Sequence, residues 1–282
     1  MSHQSTRDAL PIIATVLFAV MGVFFDAFSY FHEVWIDDGT YSHGYFSLAL
    51  AAFVLYSQRL VITMPSLYLN GKYIILLLFT LFIAYIAKEQ ELNYIYRSLF
   101  LVSIIFLIRM WYNRDESKVF IIPFLLIALA VPAWGVTIGI LQYMAVIVVG
   151  TGVTLSGIEV LVQGFNITIP SGTFVVANGC SGLRYLLVGA TMVVFYRFMY
   201  FKHNISAYKL LAFNIVLAIL TNWVRIAYLV YVGHVSEMRD PLMADHNMLG
   251  WYIFIVPVVL TFMYGRVLER QEILIKNKQY AD

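Results

Sequence analysis

The sequence predicts an all-α polytopic membrane protein: about eight transmembrane helices, one further helix that does not cross, and a short β-hairpin on the outer side. Three observations predict it. First, 61% of the 282 residues are hydrophobic and only 12% are charged, whereas soluble domains run at about 45–50% apolar and about 25% charged. Second, the apolar residues form long, nearly continuous runs such as Tyr73–Ile86 and Leu210–Leu220, not the alternation that a membrane β-barrel needs. Third, the cations collect on alternate connections, as the positive-inside rule requires. The net charge of +2 and the absence of a basic cluster argue against a nucleic-acid partner.

Spans are expected near 10–29, 44–57, 73–87, 92–110, 119–133, 181–200, 207–232 and 250–268, each close to the roughly 20 apolar residues that cross a bilayer. The first run has no Ala-x-Ala-like site after it, so it is expected to be retained and not cleaved as a signal peptide. No repeat, linker or low-complexity tract divides the chain, which is expected to be one membrane domain over 1–282. With the N-terminus in the cytoplasm, the cytoplasmic connections gather Arg59 and Lys72, then Arg109, Arg114 and Lys118, then Arg197, Lys202 and Lys209. The C-terminus then carries Arg266, Arg270, Lys276 and Lys278 on the same side. Val136–Leu161 is apolar enough to cross, but a crossing there would reverse every later charge. It is therefore expected to lie along the outer interface or to dip in and return, and its glycines suit close packing. A ninth full span is the rival reading.

After that segment, Gln163–Ala177 alternates, turns at Pro170-Ser171-Gly172 and alternates again, the signature of a β-hairpin. It leads into Asn178-Gly179-Cys180-Ser181-Gly182, where the next helix is expected to begin with Asn178 able to cap it. The chain has one cysteine, Cys180, so no internal disulfide can form. The N–H groups and dipole of a helix start favour an anion there, and a thiolate is a nucleophile. The bland alternative is a small packed apolar residue.

Arg184 follows four residues later, which on a continuous helix places it one turn from Cys180 on the same face. Arg225 lies in Thr221-Asn222-Trp223-Val224-Arg225, between apolar runs. An arginine inside a membrane costs at least about 2.5–3.5 kcal/mol on insertion scales, so such residues usually face a polar site. Structural ion pairing or snorkelling to the interface is the alternative. His246, beside Asp245 and just before the last span, is a candidate general acid and base. Its alternative is a histidine that hydrogen-bonds a helix start. His43 and His234 fall on the same predicted side, whereas His203 falls in the cytoplasm. A thiolate, a cation and an imidazole on one membrane face are the minimum equipment for acyl transfer. No metal-ligand set and no cofactor motif accompanies them.

Taken in order, these blocks resemble a known family. Phe165 through Leu187, with Asn-Gly-Cys-Ser-Gly-Leu-Arg at its centre, is similar to the signature of the exosortase/archaeosortase family. Asn222-Trp-Val-Arg225 resembles its second motif, Asp245-His246 with Leu249-Gly250-Trp251 its third, and Tyr41-Ser42-His43-Gly44 its N-terminal outer loop. The resemblance runs from roughly residue 30 to 268. It implies a membrane-embedded cysteine protease and transpeptidase acting on membrane-anchored proteins that carry a C-terminal Pro-Glu-Pro-type sorting signal. The acceptor, whether amine, glycan or lipid, is left open. Carried over residue by residue, the nucleophile falls on Cys180, the catalytic arginine on Arg225 and the histidine on His246. Arg184, Asn222, His43 and Asp245 fall in supporting or substrate-binding positions. Histidine in the third motif implies the bacterial branch, hence the inner membrane, a periplasmic site and a link to exopolysaccharide systems. Asn178-Gly179 depart from the acidic residue and alanine more usual before the cysteine.

Two other classes compete. A transporter or flippase for a lipid-linked precursor would also hold buried arginines, but no inverted repeat is visible. A non-catalytic scaffold for glycan assembly would tolerate changes at Cys180, Arg225 and His246. No Gly-x-Ser-x-Gly pattern points to a serine nucleophile.

Overall fold

The computed structural model describes residues 15–36, 39–59, 70–243 and 247–279. They fall into two compact units, Met1–Gly135 and Val136–Asp282.

In the first unit α1 (Thr15–Val23) and α2 (Phe25–Ile36) meet at a 59° bend. The bend at Phe24 has a use: Val23 offers its carbonyl to the Tyr96 hydroxyl at 2.7 Å, and Phe24 itself is fully buried against Tyr96 and Phe100. Then come α3 (Gly44–Ser57), α4 (Gly71–Glu89), α5 (Asn93–Trp111) and α6 (Ile121–Ala130). α4 packs on α5 and α3 on α6. Trp35 donates to the Ala130 carbonyl at 2.9 Å and its ring lies over Gly44, where any Cβ would collide with it. That contact fixes the start of α3, and His43, the residue before it, is buried.

The second unit begins with α7 (Ile138–Leu155), followed by β1 (Leu161–Gln163), β2 (Asn166–Ile169) and β3 (Gly172–Val175). The strands form one antiparallel sheet in the order β1-β2-β3, with Ile167 opposite Phe174 and Thr168 opposite Thr173. The alternation in β2 decides its faces: Ile167 and Ile169 are buried, while Asn166 and Thr168 are not. Ile167 and Ile169 pack on Ala145, Val146 and Val149 of α7 and on Ile226 and Val230 further along the chain. A short 3₁₀ turn, Asn178–Cys180, leads to α8 (Leu183–Tyr200), α9 (Asn204–Val235) and α10 (Asn247–Gln279). These three helices pack on one another. α8 and α9 come close at Gly189, where a Cβ would sit 2.1 Å from Asn214 Oδ1, the small-residue contact favoured between membrane helices.

Among the described residues, five helices are long and apolar enough to cross a membrane: α4, α5, Trp134–Leu155, α9 and Tyr252–Ile275. The bent pair α1 and α2 makes a sixth if it is one span. The remaining expected spans are short or polar for the purpose. α3 has 14 residues, α6 has 10, and α8 carries Arg184 and Arg197 within 18. The segment expected to lie flat or dip and return contains one uninterrupted helix, so it does not reverse within α7. The hairpin forms as expected and gains β1, an exposed third strand.

Candidate active site

The chain leaves the sheet at Val176, which is buried, and turns sharply into α8. The Cys180 N–H donates to the Ala177 carbonyl at 2.8 Å and the Ser181 N–H to that of Asn178 at 3.2 Å. Gly182 then takes φ of 88°, a left-handed conformation that glycine adopts without a steric penalty. Helical bonding starts from it, with the Leu186 N–H donating to the Gly182 carbonyl at 3.2 Å, while the Leu183 N–H donates to Ser181 Oγ at 3.3 Å. Cys180 thus precedes α8, and two sequence expectations change. Asn178 does not cap α8; its side chain accepts from Gln142 Nε2 of α7 at 3.4 Å, while the same amide donates to the Val176 carbonyl at 2.6 Å. Nor does Arg184 follow Cys180 around one helical turn, because Gly182 breaks the helix between them.

α9 supplies the other side. Asn222 is 1% exposed and its Nδ2 donates to the Cys180 carbonyl at 2.8 Å. Its Cβ and Cγ fill the space beside Gly182, where an added Cβ would lie 2.9 Å from both. The missing side chain at Gly182 therefore serves both the turn and the close approach of Asn222. Arg225, three residues on, shares that face of α9 and is buried at 7% exposure. Asn222 Oδ1 and Arg225 Nε are buried and have no hydrogen-bond partner among the described residues, an uncommon and costly condition for such groups.

α10 closes the cluster through Gly250. The buried Tyr185 hydroxyl donates to the Gly250 carbonyl at 3.0 Å, and the Tyr185 ring stacks on Phe254 at 5.0 Å. A Cβ at Gly250 would lie 3.1 Å from the Tyr185 hydroxyl and 3.3 Å from Arg225 Cζ. Arg225, Arg184 and Cys180 all lie near enough to the buried Tyr185 hydroxyl to act on it electrostatically, and Arg225 also hydrogen-bonds it. The start of α8, the second half of α9 and the first turn of α10 therefore converge.

Of the residues singled out in the sequence, Cys180, Arg184, Asn222 and Arg225 belong to this cluster. His43 lies in the first unit, at the head of α3. Asp245 and His246 lie outside the described residues, directly before α10. Sequence reasoning missed Tyr185 and Gln142. Gln142 had a signal, as the one carboxamide in the apolar run of α7. Tyr185 had none, since a tyrosine in a membrane helix is ordinary.

Fold and cluster together define a multi-pass α-helical membrane protein with a thiol, a carboxamide and a guanidinium gathered where three helices meet. Residues 35–263 match the family model described as transmembrane exosortase. The chain belongs to that family, the membrane-embedded sorting proteases and transpeptidases. No curated protein and no solved structure matches it.

Proposed function

We propose that the protein is a cysteine protease and transpeptidase that cleaves a C-terminal Pro-Glu-Pro-type sorting signal at the outer face of the bacterial inner membrane. The observation that carries the reading is the junction of Cys180, Asn222 and Arg225, reached from a turn and a separate helix. Cys180, as thiolate, attacks the carbonyl carbon of the scissile peptide and a C–S bond forms. Arg225 stabilises the oxyanion, and its unpartnered Nε is a donor available for that charge. His246 gives its proton to the departing amine as the C–N bond breaks, leaving a thioacyl-enzyme. The neutral imidazole then takes a proton from the acceptor, an amine, a glycan or lipid hydroxyl, or water. The acceptor attacks the thioester, the C–S bond breaks and the thiolate returns. Asn222 holds the Cys180 backbone in place, while Arg184, His43 and Asp245 serve the substrate or the supporting shell. Both termini lie in the cytoplasm, α3, α6 and α8 also cross, and α7 stays on the outer side. The substrate's own membrane helix then brings its signal level with Cys180.

The test is processing of a sorting-signal fusion co-expressed with wild type, Cys180→Ala, Arg225→Ala and His246→Ala at matched levels. Loss of processing by orders of magnitude in each variant is expected, with a trapped adduct in His246→Ala. Unchanged processing removes the protease reading and puts transport of a lipid-linked precursor first.

A further inference from the structure

Cys180 opens onto a cavity of about 170 Å³ that the catalytic reading leaves unused. Its walls are Phe174 and Val176 of the sheet, Ile226 and Leu229 of α9, and Met238 and Met243 of the segment after α9. None of the lining residues carries a charge, apart from what the thiol itself acquires. The polar groups of the cluster, Asn222 and Arg225, are not among them. One side of Cys180 is therefore polar and the other apolar.

The apolar wall is held by unusual backbone. α9 ends at Val235, and Glu237 and Met238 then take φ of 51° and 63° in succession, a region that side chains other than glycine seldom enter. The Met238 N–H closes the turn on the Gly233 carbonyl at 2.8 Å. The effect is to fold Met238 back over two glycines. A Cβ at Gly172 would lie 2.8 Å from Met238 Cγ, and one at Gly233 would lie 3.0 Å from the sulfurs of both Met238 and Met243. Strained backbone persists where surrounding structure enforces it, commonly at clamps and binding sites. Methionine is the apolar side chain that best adapts to a guest.

We propose that this cavity is a specificity pocket that receives one uncharged, apolar side chain of the substrate, next to the bond attacked by Cys180, and rejects a carboxylate there. The proposal rests on the reading of Cys180 as the nucleophile. A pocket of this size with no charged lining residue offers no counter-charge to a buried carboxylate, and burying a charge unpaired is strongly unfavourable.

The experiment uses the full-length protein and a panel of sorting-signal fusions in which each residue flanking the cleaved bond is replaced in turn by Ala, Leu, Trp and Asp. Wild type is expected to lose at least about tenfold in processing with Asp at one flanking position only. Met243→Ala is expected to shift the preference at that same position toward the larger side chains by about tenfold, while Met243→Leu keeps the wild-type order. An active Met243→Ala with unchanged preferences overturns the pocket but leaves the nucleophile standing. Processing by Cys180→Ala overturns the reading beneath it.

If Met243→Ala processes nothing, labelling of the sole cysteine decides. N-phenylmaleimide and a sulfonated maleimide are compared on Cys180 in the solubilised wild type. The reference is Leu155→Cys in a Cys180→Ser chain, a position that is 83% exposed. The apolar reagent is expected to gain at least about tenfold on Cys180 relative to the reference; equal ratios overturn the pocket.

Discussion

At the scale of single residues, the site depends on which atoms Asn222 and Tyr185 hold. Asn222→Ala deprives the Cys180 carbonyl of its 2.8 Å donor and opens space beside Gly182. A buried group left unsatisfied costs about 1–3 kcal/mol, so this variant is expected to unfold at lower temperature and to lose most processing. Asn222→Asp removes the donor while keeping the shape, and should lose processing with less effect on melting. Tyr185→Phe tests a different link. It keeps the stack on Phe254 and removes the hydroxyl's bonds to the Gly250 carbonyl and to Arg225, each worth about 1 kcal/mol. Tyr185 is proposed as a positioning residue, because Gly250 follows His246 by only four residues in the sequence. Tyr185→Phe should therefore lower the turnover rate more than it raises KM, and the single-turnover pH profile should change shape if the histidine is displaced. A purely structural tyrosine would lower melting and leave that profile intact. The cysteine and both arginines were legible in the sequence because charge and thiol are rare in apolar runs. Tyr185 was not, because its role comes from a carbonyl 65 residues away.

At the scale of elements, the join between sheet and α8 is the critical piece. Gly182 combines φ of 88° with a neighbour that leaves no room for a Cβ. Gly182→Ala therefore meets two penalties, a left-handed backbone costing roughly 1–2 kcal/mol and a collision with Asn222. It is expected to abolish processing while the helical content seen by circular dichroism survives; a fully active Gly182→Ala would show that the turn is not needed as drawn. The two arms of the hairpin were readable because β2 and β3 alternate around a Pro-Ser-Gly turn. β1 was not, because all three of its residues are exposed and no alternation marks it. The start of α8 was placed too early for a physical reason. Cys180 and Ser181 look like the head of a helix, but the glycine after them takes the one conformation that separates them from it. An apolar run with a cap signal does not disclose a 3₁₀ turn inserted before the helix, nor the use of Asn178 as an acceptor for α7.

At the scale of the whole molecule, the open question is which helices cross, and each unit supplies an argument. In the first, α6 has only 10 residues, roughly 15 Å at the usual helical rise against a hydrocarbon core of about 30 Å. Yet the chain around it spans the height of α5. The Phe120 ring meets Tyr112 just past the end of α5, and the Pro132 carbonyl accepts from Arg97 near its start. The 3₁₀ segment Glu116–Phe120 runs directly into α6 and lengthens it at its start. In the second unit α7 is long enough to cross, as Trp134–Leu155. However, Gln142 near its start bonds the turn before Cys180, and further along the helix Gly150 and Val153 pack on the sheet that leads to the same turn. A helix touching the site's own sheet along most of its length suits an outer position better than a traverse. In the sequence only the cations further along the chain spoke to this, because residues 130–158 carry no charged side chain of their own. Single cysteines at Glu91, Asn113 and Val136 in a Cys180→Ser chain, with native Cys180 in wild type, decide it through membrane-impermeant labelling of intact cells. Glu91, Val136 and Cys180 are expected to label from outside, and Asn113 only after permeabilisation. Val136 and Cys180 reacting from opposite sides would make α7 a crossing helix. Cys180 reacting only after permeabilisation would put the thiol on the cytoplasmic face, away from the signal it is proposed to cut.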